Sequence, residues 1–593
     1  MITSIAASCF YALSVSAFFY GFWTLRKTEK QLYGIVWIPV IVITLFCMQV
    51  FWAAFINFFK LPVNLITVGI FNCMTGGALI LYIRKSGKKQ RYLWEKDQLI
   101  CLLLIIAFTI TFVLRRFGFN LELNFATVDP AAHFRDAMNV VNTQSVNNMF
   151  YASLNHALFI ELLSPLKEVS EYYKFYILAE SLHFMISGWM FYGLLQRHRK
   201  NLFVNISAII ATFLYMAGYP MNNTLYGFTY LGMGVSVIAY LIYMSDTYIN
   251  GEIDEKFNLL FLMLGALGIF QSYMLYMPVV FFSIFFCISY KRWKDKCLFS
   301  IKTVIIQFTI FLLPCLIGLY YAFFGIFSGD VTVSSAISTE GGIYQDLFSN
   351  FLFLMPFAFL GIYYIIKKRK LQVLNFLLPI MSVFTIGMFY FGLNGKVSSY
   401  YFYKNYYLIW LLFFLLAFSG VVYLSGKGKE IVICVFMPWL LTLGLFASRL
   451  EFSLSVTHPL FVPEEKAGKV NDIYAANYRL LQSDKYNSSK MELFQHVYTN
   501  YVDKGIEIPL AGGEEDDFWY QAITNQRLSD HYEHWKNKKL FFKTLKKNAA
   551  FVLVLYGSDI YVSNKKYFNK LQKVYENDSG FVASVSKGQK RNG

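Results

Sequence analysis

The run Thr127-Val128-Asp129-Pro130-Ala131-Ala132-His133-Phe134-Arg135-Asp136 gathers two carboxylates, an imidazole and a guanidinium directly after an apolar stretch from Leu99 to Leu114. Ionisable groups at the edge of a bilayer are costly to keep, so a cluster of them there points to use. Asp129 and His133 are four residues apart and Asp136 follows three later. On a helix these spacings put all three side chains on one face. Asp129 is the candidate general base, taking a proton from an acceptor hydroxyl. Asp before Pro is also the pattern of a helix N-cap, and one carboxylate oxygen can cap while the other meets a substrate. His133 and Asp136 either orient Asp129, bind a divalent cation or contact a diphosphate. Arg135 lies off this face and reaches toward lipid head groups.

A second constellation is Ser398-Ser399-Tyr400-Tyr401-Phe402-Tyr403-Lys404-Asn405-Tyr406-Tyr407, at the start of another apolar run. Lysine among tyrosines offers an ammonium and hydroxyl donors, the groups a lipid phosphate needs, with Tyr403 and Lys404 at its centre. A snorkelling lysine in an aromatic belt has the same pattern. Glu180 and His183 share a helical face inside an apolar run and read as a structural pair. Glu514, Glu515, Asp516 and Asp517 precede Phe518-Trp519-Tyr520 and suit the first turn of a helix better than a calcium site. Asp330 and Glu340 sit in a Gly/Ser-rich loop near the expected site. Walker A, strand-borne G-x-G-x-x-G and H-E-x-x-H patterns are absent, which argues against an ATP-driven pump and a zinc protease.

The elements that must position these residues are membrane helices. Of the 593 residues, 56% are hydrophobic, 19% aromatic and 15% charged, the composition of a multi-span membrane protein. The net charge of +17 lies in short loops between apolar runs, such as Arg197/Arg199/Lys200, Lys291/Arg292/Lys294/Lys296 and Lys367/Lys368/Arg369/Lys370. That is the positive-inside bias, so nucleic acid is not the partner. The eight cysteines fall within or beside apolar runs, with no disulfide framework or C-x-x-C metal site.

The expected fold is an α-helical polytopic membrane protein with about fourteen spans of roughly twenty residues. Residues 1–97 form a three-helix extension, 98–447 a transmembrane module with an outer loop at 116–171, and 448–593 a small extracytoplasmic α/β domain. Both termini are expected outside a multi-pass cell-membrane protein. Polar Gln271-Ser272-Tyr273 should split 257–290 into two helices. The tail is expected as helices over 464–482, 489–503, 515–525 and 531–547, a strand at 549–556, a helix over 564–577 and a strand at 581–586.

With Val128-Asp129-Pro130-Ala131-Ala132-His133-Phe134 in the first outer loop after the span at 98, juxtamembrane helices and a C-terminal outer domain, the chain resembles the GT-C superfamily of polytopic glycosyltransferases. The Tyr400–Tyr407 cluster resembles boundaries in bacterial members that build cell-wall or capsule polysaccharide. The resemblance implies a polyprenyl-phosphate-linked sugar as donor, an acceptor glycan, and no certain cofactor, with a divalent cation left open. It implies that Asp129 deprotonates the acceptor, and that Lys404, Arg135 or His133 steadies the leaving lipid phosphate. Competing readings are a polysaccharide polymerase or ligase acting on lipid-linked glycans, and a non-enzymatic lipid or glycan transporter.

Overall fold

The computed structural model describes residues 2–23, 34–86, 95–146, 153–198, 201–325, 351, 353–368, 371–447, 473–483, 488–524 and 537–585. The chain is mostly helical, with a small sheet near its C-terminal end. Eight described helices are long and apolar enough to cross a membrane: Thr3–Trp23, Gly34–Phe58, Leu65–Tyr82, Lys96–Phe117, Leu202–Tyr226, Met274–Lys294, Leu374–Leu393 and Tyr400–Ser425. Helices Tyr173–Leu195, Thr229–Asn250 and Glu255–Ser272 pack among them and bury polar residues, including Glu180, Asp246 and Gln271. Among the described residues, length and hydropathy therefore give a count of eight, together with the shorter apolar helices Ile301–Ile317 and Glu430–Leu440, and the expected count of about fourteen is not confirmed.

The polar break acts as its composition implies. Helix Glu255–Ser272 ends where the Ser272 hydroxyl donates to the Gly268 carbonyl at 2.6 Å. A 3-10 turn at Met274–Tyr276 follows, and a new helix runs Met277–Lys294. Residues 326–350, which include Asp330 and Glu340, lie outside the described residues.

The two ends of the bundle differ chemically. At one end Arg197 donates to Asp246 Oδ2 at 2.7 Å and makes a two-pronged contact with Glu252 at 2.8 and 2.7 Å. Arg292 and Lys302 both reach Glu255, at 2.6 and 3.1 Å. Asp246, Glu252 and Glu255, at the end of Thr229–Asn250 and in the segment after it, thus neutralise basic residues from two neighbouring connections. Planar guanidinium–carboxylate pairing of this kind is the strong form of the interaction.

The opposite end carries the segment with Asp129, the turn at 217–229 and the C-terminal region. Asn222 Nδ2 donates to Asn477 Oδ1 at 3.0 Å, and Asn477 Nδ2 donates to the carbonyls of Ala217 and Gly218, both at 2.8 Å. The tail is therefore stitched to the bundle through the buried end of helix Leu202–Ala217 and the turn after it.

Helices Met355–Lys368 and Ser399–Ser425 approach closely because glycines face each other. A Cβ on Gly361 would stand 1.8 Å from the Leu416 carbonyl oxygen, and one on Gly420 2.0 Å from that of Phe357. Small residues at such crossings let backbones touch where lipid offers no hydrophobic drive.

The sheet orders β1 (Leu510–Ala511), β2 (Phe551–Leu555), β4 (Gly580–Ser584) and β3 (Gln572–Asn577). β1 is parallel to β2, and the other pairs are antiparallel. The helix expected over 564–577 is instead two short helices, Asp559–Ser563 and Lys565–Phe568, followed by β3. Val574-Tyr575 favours strand, and Asn577 closes a hairpin by accepting the Ser579 N–H at 3.0 Å. Two-residue β1 left too short a pattern to read. The acidic run does open a helix, Glu514–Thr524, where Asp516 accepts from Lys490 at 2.8 Å and from the Gly513 N–H at 3.3 Å.

Replacing Gly420 by Val should cost about 1–3 kcal/mol of stability by overpacking this crossing. The expected sign is a lower thermal midpoint in detergent. Gly387→Ala, where a Cβ would meet nothing within 4 Å, should leave the midpoint unchanged or raise it.

Candidate active site

Helix Asp129–Thr143 begins at Asp129 itself, after Val128 in a near-helical conformation. The Asp129 N–H donates to Thr127 Oγ1 at 3.4 Å, and that hydroxyl donates to the Tyr226 carbonyl at 2.6 Å. The Ala126 N–H donates to the Leu225 carbonyl at 2.8 Å. Thr127, not Asp129, therefore supplies the side-chain oxygen at the helix start, so the expected N-cap role of Asp129 is not seen. Pro130 rests on Gly227, which has a φ of +70° and whose Cβ, if present, would stand 2.0 Å from the proline ring. Only glycine satisfies both conditions at once. The Asp129 carboxylate is half-buried and makes no hydrogen bond or ion pair with the described residues.

Opposite stands Lys404, on helix Ser399–Ser425, whose N-cap Ser398 accepts the Tyr401 N–H at 3.5 Å. Lys404 is only 6% exposed. Its ammonium lies 3.8 Å from the Tyr400 ring centre, 4.8 Å from Phe228, 5.4 Å from Tyr401 and 5.6 Å from Tyr273. Aromatic faces stabilise a desolvated ammonium by about 2 kcal/mol or more. The backbone is pinned there by Tyr276, whose hydroxyl donates to the Lys404 carbonyl at 2.7 Å. Lys404 and Asp129 form no direct ion pair, yet each lies in the other's field.

Burial pushes the Asp129 carboxyl above the ordinary carboxylate range, and Lys404 partly pulls it back. His133, one turn on, packs edge-on to Tyr230 at 4.5 Å. Burial, with His156 and Lys404 nearby, pushes its imidazole down to about 3. A neutral imidazole offers a hydrogen bond rather than a charge. Burial also raises the Asp136 carboxyl, and its charge partner is Arg135. These two side chains belong to the next turn of the helix.

Behind this face lies a buried network. His156 Nε2 and Glu180 Oε1 are 2.7 Å apart, and Thr229 Oγ1 donates to the same carboxylate oxygen at 2.6 Å. The Tyr176 hydroxyl meets Thr229 Oγ1 at 3.3 Å. His183 stacks on His156 at 4.9 Å and on Phe46 at 5.2 Å. The carboxylate partner of Glu180 is thus His156, from helix Leu154–Leu163, and not His183 as the shared helical face implied. A cross-helix imidazole can approach head-on, which a neighbour three residues away on one helix cannot easily do.

Tyr403 is turned into the core, 2% exposed, and stacks on Tyr406 at 5.6 Å. Tyr400 and Tyr401 are the tyrosines that face Lys404. Phe228, Tyr273 and His156 complete the surroundings and carry no sequence signal, because they arrive from other helices. Among the described residues no three His, Cys, Asp or Glu side chains converge as metal ligands.

No family model matches the sequence, and no curated protein matches it. Among solved structures the chain is similar to the crystal structure of the Archaeoglobus fulgidus oligosaccharyltransferase in the apo form. The identity is 11% and the TM-score 0.46, over 79% of this chain and 70% of that one. A likeness of this degree leaves function to be argued from the site.

His156→Ala would leave Glu180 buried with Thr229 as its remaining donor. Removing one partner of a buried polar pair costs about 3–5 kcal/mol, so the thermal midpoint should fall clearly. Adding Glu180→Gln to His156→Ala should recover part of the loss, because the orphaned charge is gone.

Proposed function

We propose that this protein is a membrane glycosyltransferase of the GT-C kind. It moves a sugar from a polyprenyl-phosphate-linked donor to an acceptor glycan or glycolipid at the outer membrane face. What supports this most is an unengaged carboxylate at Asp129 facing a buried, unpaired ammonium at Lys404, at the end of the bundle away from the basic loops. The positive-inside bias sets that end toward the outside.

In this reading Asp129 takes the proton of the acceptor hydroxyl. The acceptor oxygen forms its bond to the anomeric carbon as the bond from that carbon to the phosphate oxygen breaks. The bonding electrons leave with the lipid phosphate, whose charge Lys404 meets. Asp129 then gives its proton to water. A raised carboxyl suits the first step, because a stronger base transfers the proton with less penalty. The aromatic enclosure excludes water from around Lys404, so its charge acts at low dielectric. The bilayer holds the carrier at fixed depth, which supplies orientation. In the same reading His133, one helical turn from Asp129, contributes a hydrogen bond to the acceptor or to Asp129.

The test reconstitutes the purified full-length protein with polyprenyl-phosphate sugars and a candidate glycan. Asp129→Asn should lower kcat by about 10²–10⁴-fold at unchanged protein level, and Lys404→Met by about 10²–10³-fold. Full transfer by Asp129→Asn would end the assignment of the base, as expected of a polymerase or ligase working through other groups.

The pH profile gives a second check. Asp129 acts only when ionised, so kcat/KM should fall as pH drops through a carboxyl value above the ordinary range. In Lys404→Met the lowering influence is lost, and that acidic limb should move to still higher pH. A limb that stays put, or moves down, would contradict the geometry.

A further inference from the structure

Next to the catalytic face lies a recess bounded by helices Gly34–Phe58, Leu154–Leu163, Tyr173–Leu195, Thr229–Asn250 and Glu255–Ser272. Its volume is about 30 Å³, room for roughly two waters or one substituent of that bulk. Asn155 and Gln271 line it, 7% and 2% exposed, and both the nitrogen and the oxygen of each carboxamide lack a hydrogen-bond partner. Every such buried polar atom is costly when left unpaired, and native structures keep few of them. Two complete orphaned amides facing one recess therefore point to an occupant. His183 lines it as well, but no carboxylate, lysine or arginine does, which suits an uncharged occupant. The rest of the wall includes Phe46, Ile186 and Met233. Tyr230 forms part of it too, and its ring packs on His133, one helical turn from Asp129.

We infer that this recess reads an acetamido substituent on the transferred sugar, at the ring carbon beside the anomeric centre. The inference rests on the transferase reading above. An acetamido group presents one N–H and one carbonyl on separate atoms, matching a wall that has both donors and acceptors unpaired. Its methyl group suits the apolar side. A hydroxyl fills less of the space and satisfies fewer of the four orphaned atoms.

Two lipid-phosphate donors, identical except for acetamido or hydroxyl at that carbon, provide the test on the full-length protein. The acetamido donor should show kcat/KM higher by about tenfold or more. Gln271→Met and Asn155→Leu should each bring the ratio toward one. Replacing an unpaired buried amide with an apolar group of similar shape is close to neutral for folding, so both variants should be obtainable, and their thermal midpoints check this. A wild-type ratio near one, or a preference that both variants retain, overturns the inference and leaves a recess that holds ordered water only.

A binding readout separates this from the transferase reading. The acetamido donor should raise the thermal midpoint more than the hydroxyl donor, and Gln271→Met should erase that difference. If the difference is seen without any transfer, the enzyme reading falls and the recess stands. If transfer proceeds with no acetamido dependence in either readout, the recess falls and the enzyme reading stands.

Discussion

A carboxylate and an ammonium held within each other's field, but kept from pairing, set the character of this molecule. Direct contact between Asp129 and Lys404 would satisfy both charges and leave neither for a substrate. Leaving both without partners in an apolar body would be prohibitive. The structure meets these opposed demands by giving Lys404 four aromatic faces in place of an anion. Asp129 in turn sits half-buried at a helix start, where the peptide dipole favours negative charge. Burial and Lys404 then act on the carboxyl in opposite directions, so the base strength of Asp129 is set by geometry.

That geometry is over-determined at the backbone. Thr127 takes the capping role that Asp129 would otherwise fill, and hands its own proton to Tyr226. Gly227 then lets Pro130 seat against the turn. The same turn supplies Phe228 to the Lys404 enclosure and Thr229 to the Glu180 carboxylate. One short connection between two helices thereby fixes the carboxylate, the ammonium and the network behind them. Moving it would disturb all three together.

Much of this was legible in the sequence, and the limits are physical. Asp129, His133 and Lys404 stood out because ionisable residues beside apolar runs are rare and local spacing fixes their helical faces. Their relation to each other was not legible, because residues 129 and 404 meet only through the packing of distant helices. Within the tyrosine cluster the sequence reading centres on Tyr403 and Lys404, but on a helix adjacent residues point about a hundred degrees apart and those three or four away share a face. Tyr400, four residues before Lys404, obeys that rule; Tyr401, three before, does too. Glu180 was given His183 by the same rule, and there tertiary contact overrode it. In the tail, a Val-Tyr pair in a polar run proved to be strand because β4 offered an edge, which no local window contains.

The tail is tied mechanically to the site. Several of its buried residues, among them Ile473, Phe494 and Trp519, share one continuous core with the bundle, while only the outer side of its sheet has a core of its own. Trp519 stacks on Phe125 at 6.1 Å, in the segment leading to Asp129. Phe125 in turn packs on Tyr176 at 6.2 Å, and Tyr176 contacts both Phe134 and the Thr229 hydroxyl. A chain of contacts thus links helix Glu514–Thr524 to the Glu180–His156 pair through Trp519, Phe125, Tyr176 and the Thr229 hydroxyl. Close-packed interiors pass displacements on with little absorption. Helix Glu514–Thr524 also packs directly on helix Asp129–Thr143, so the tail forms a wall beside the segment that carries Asp129.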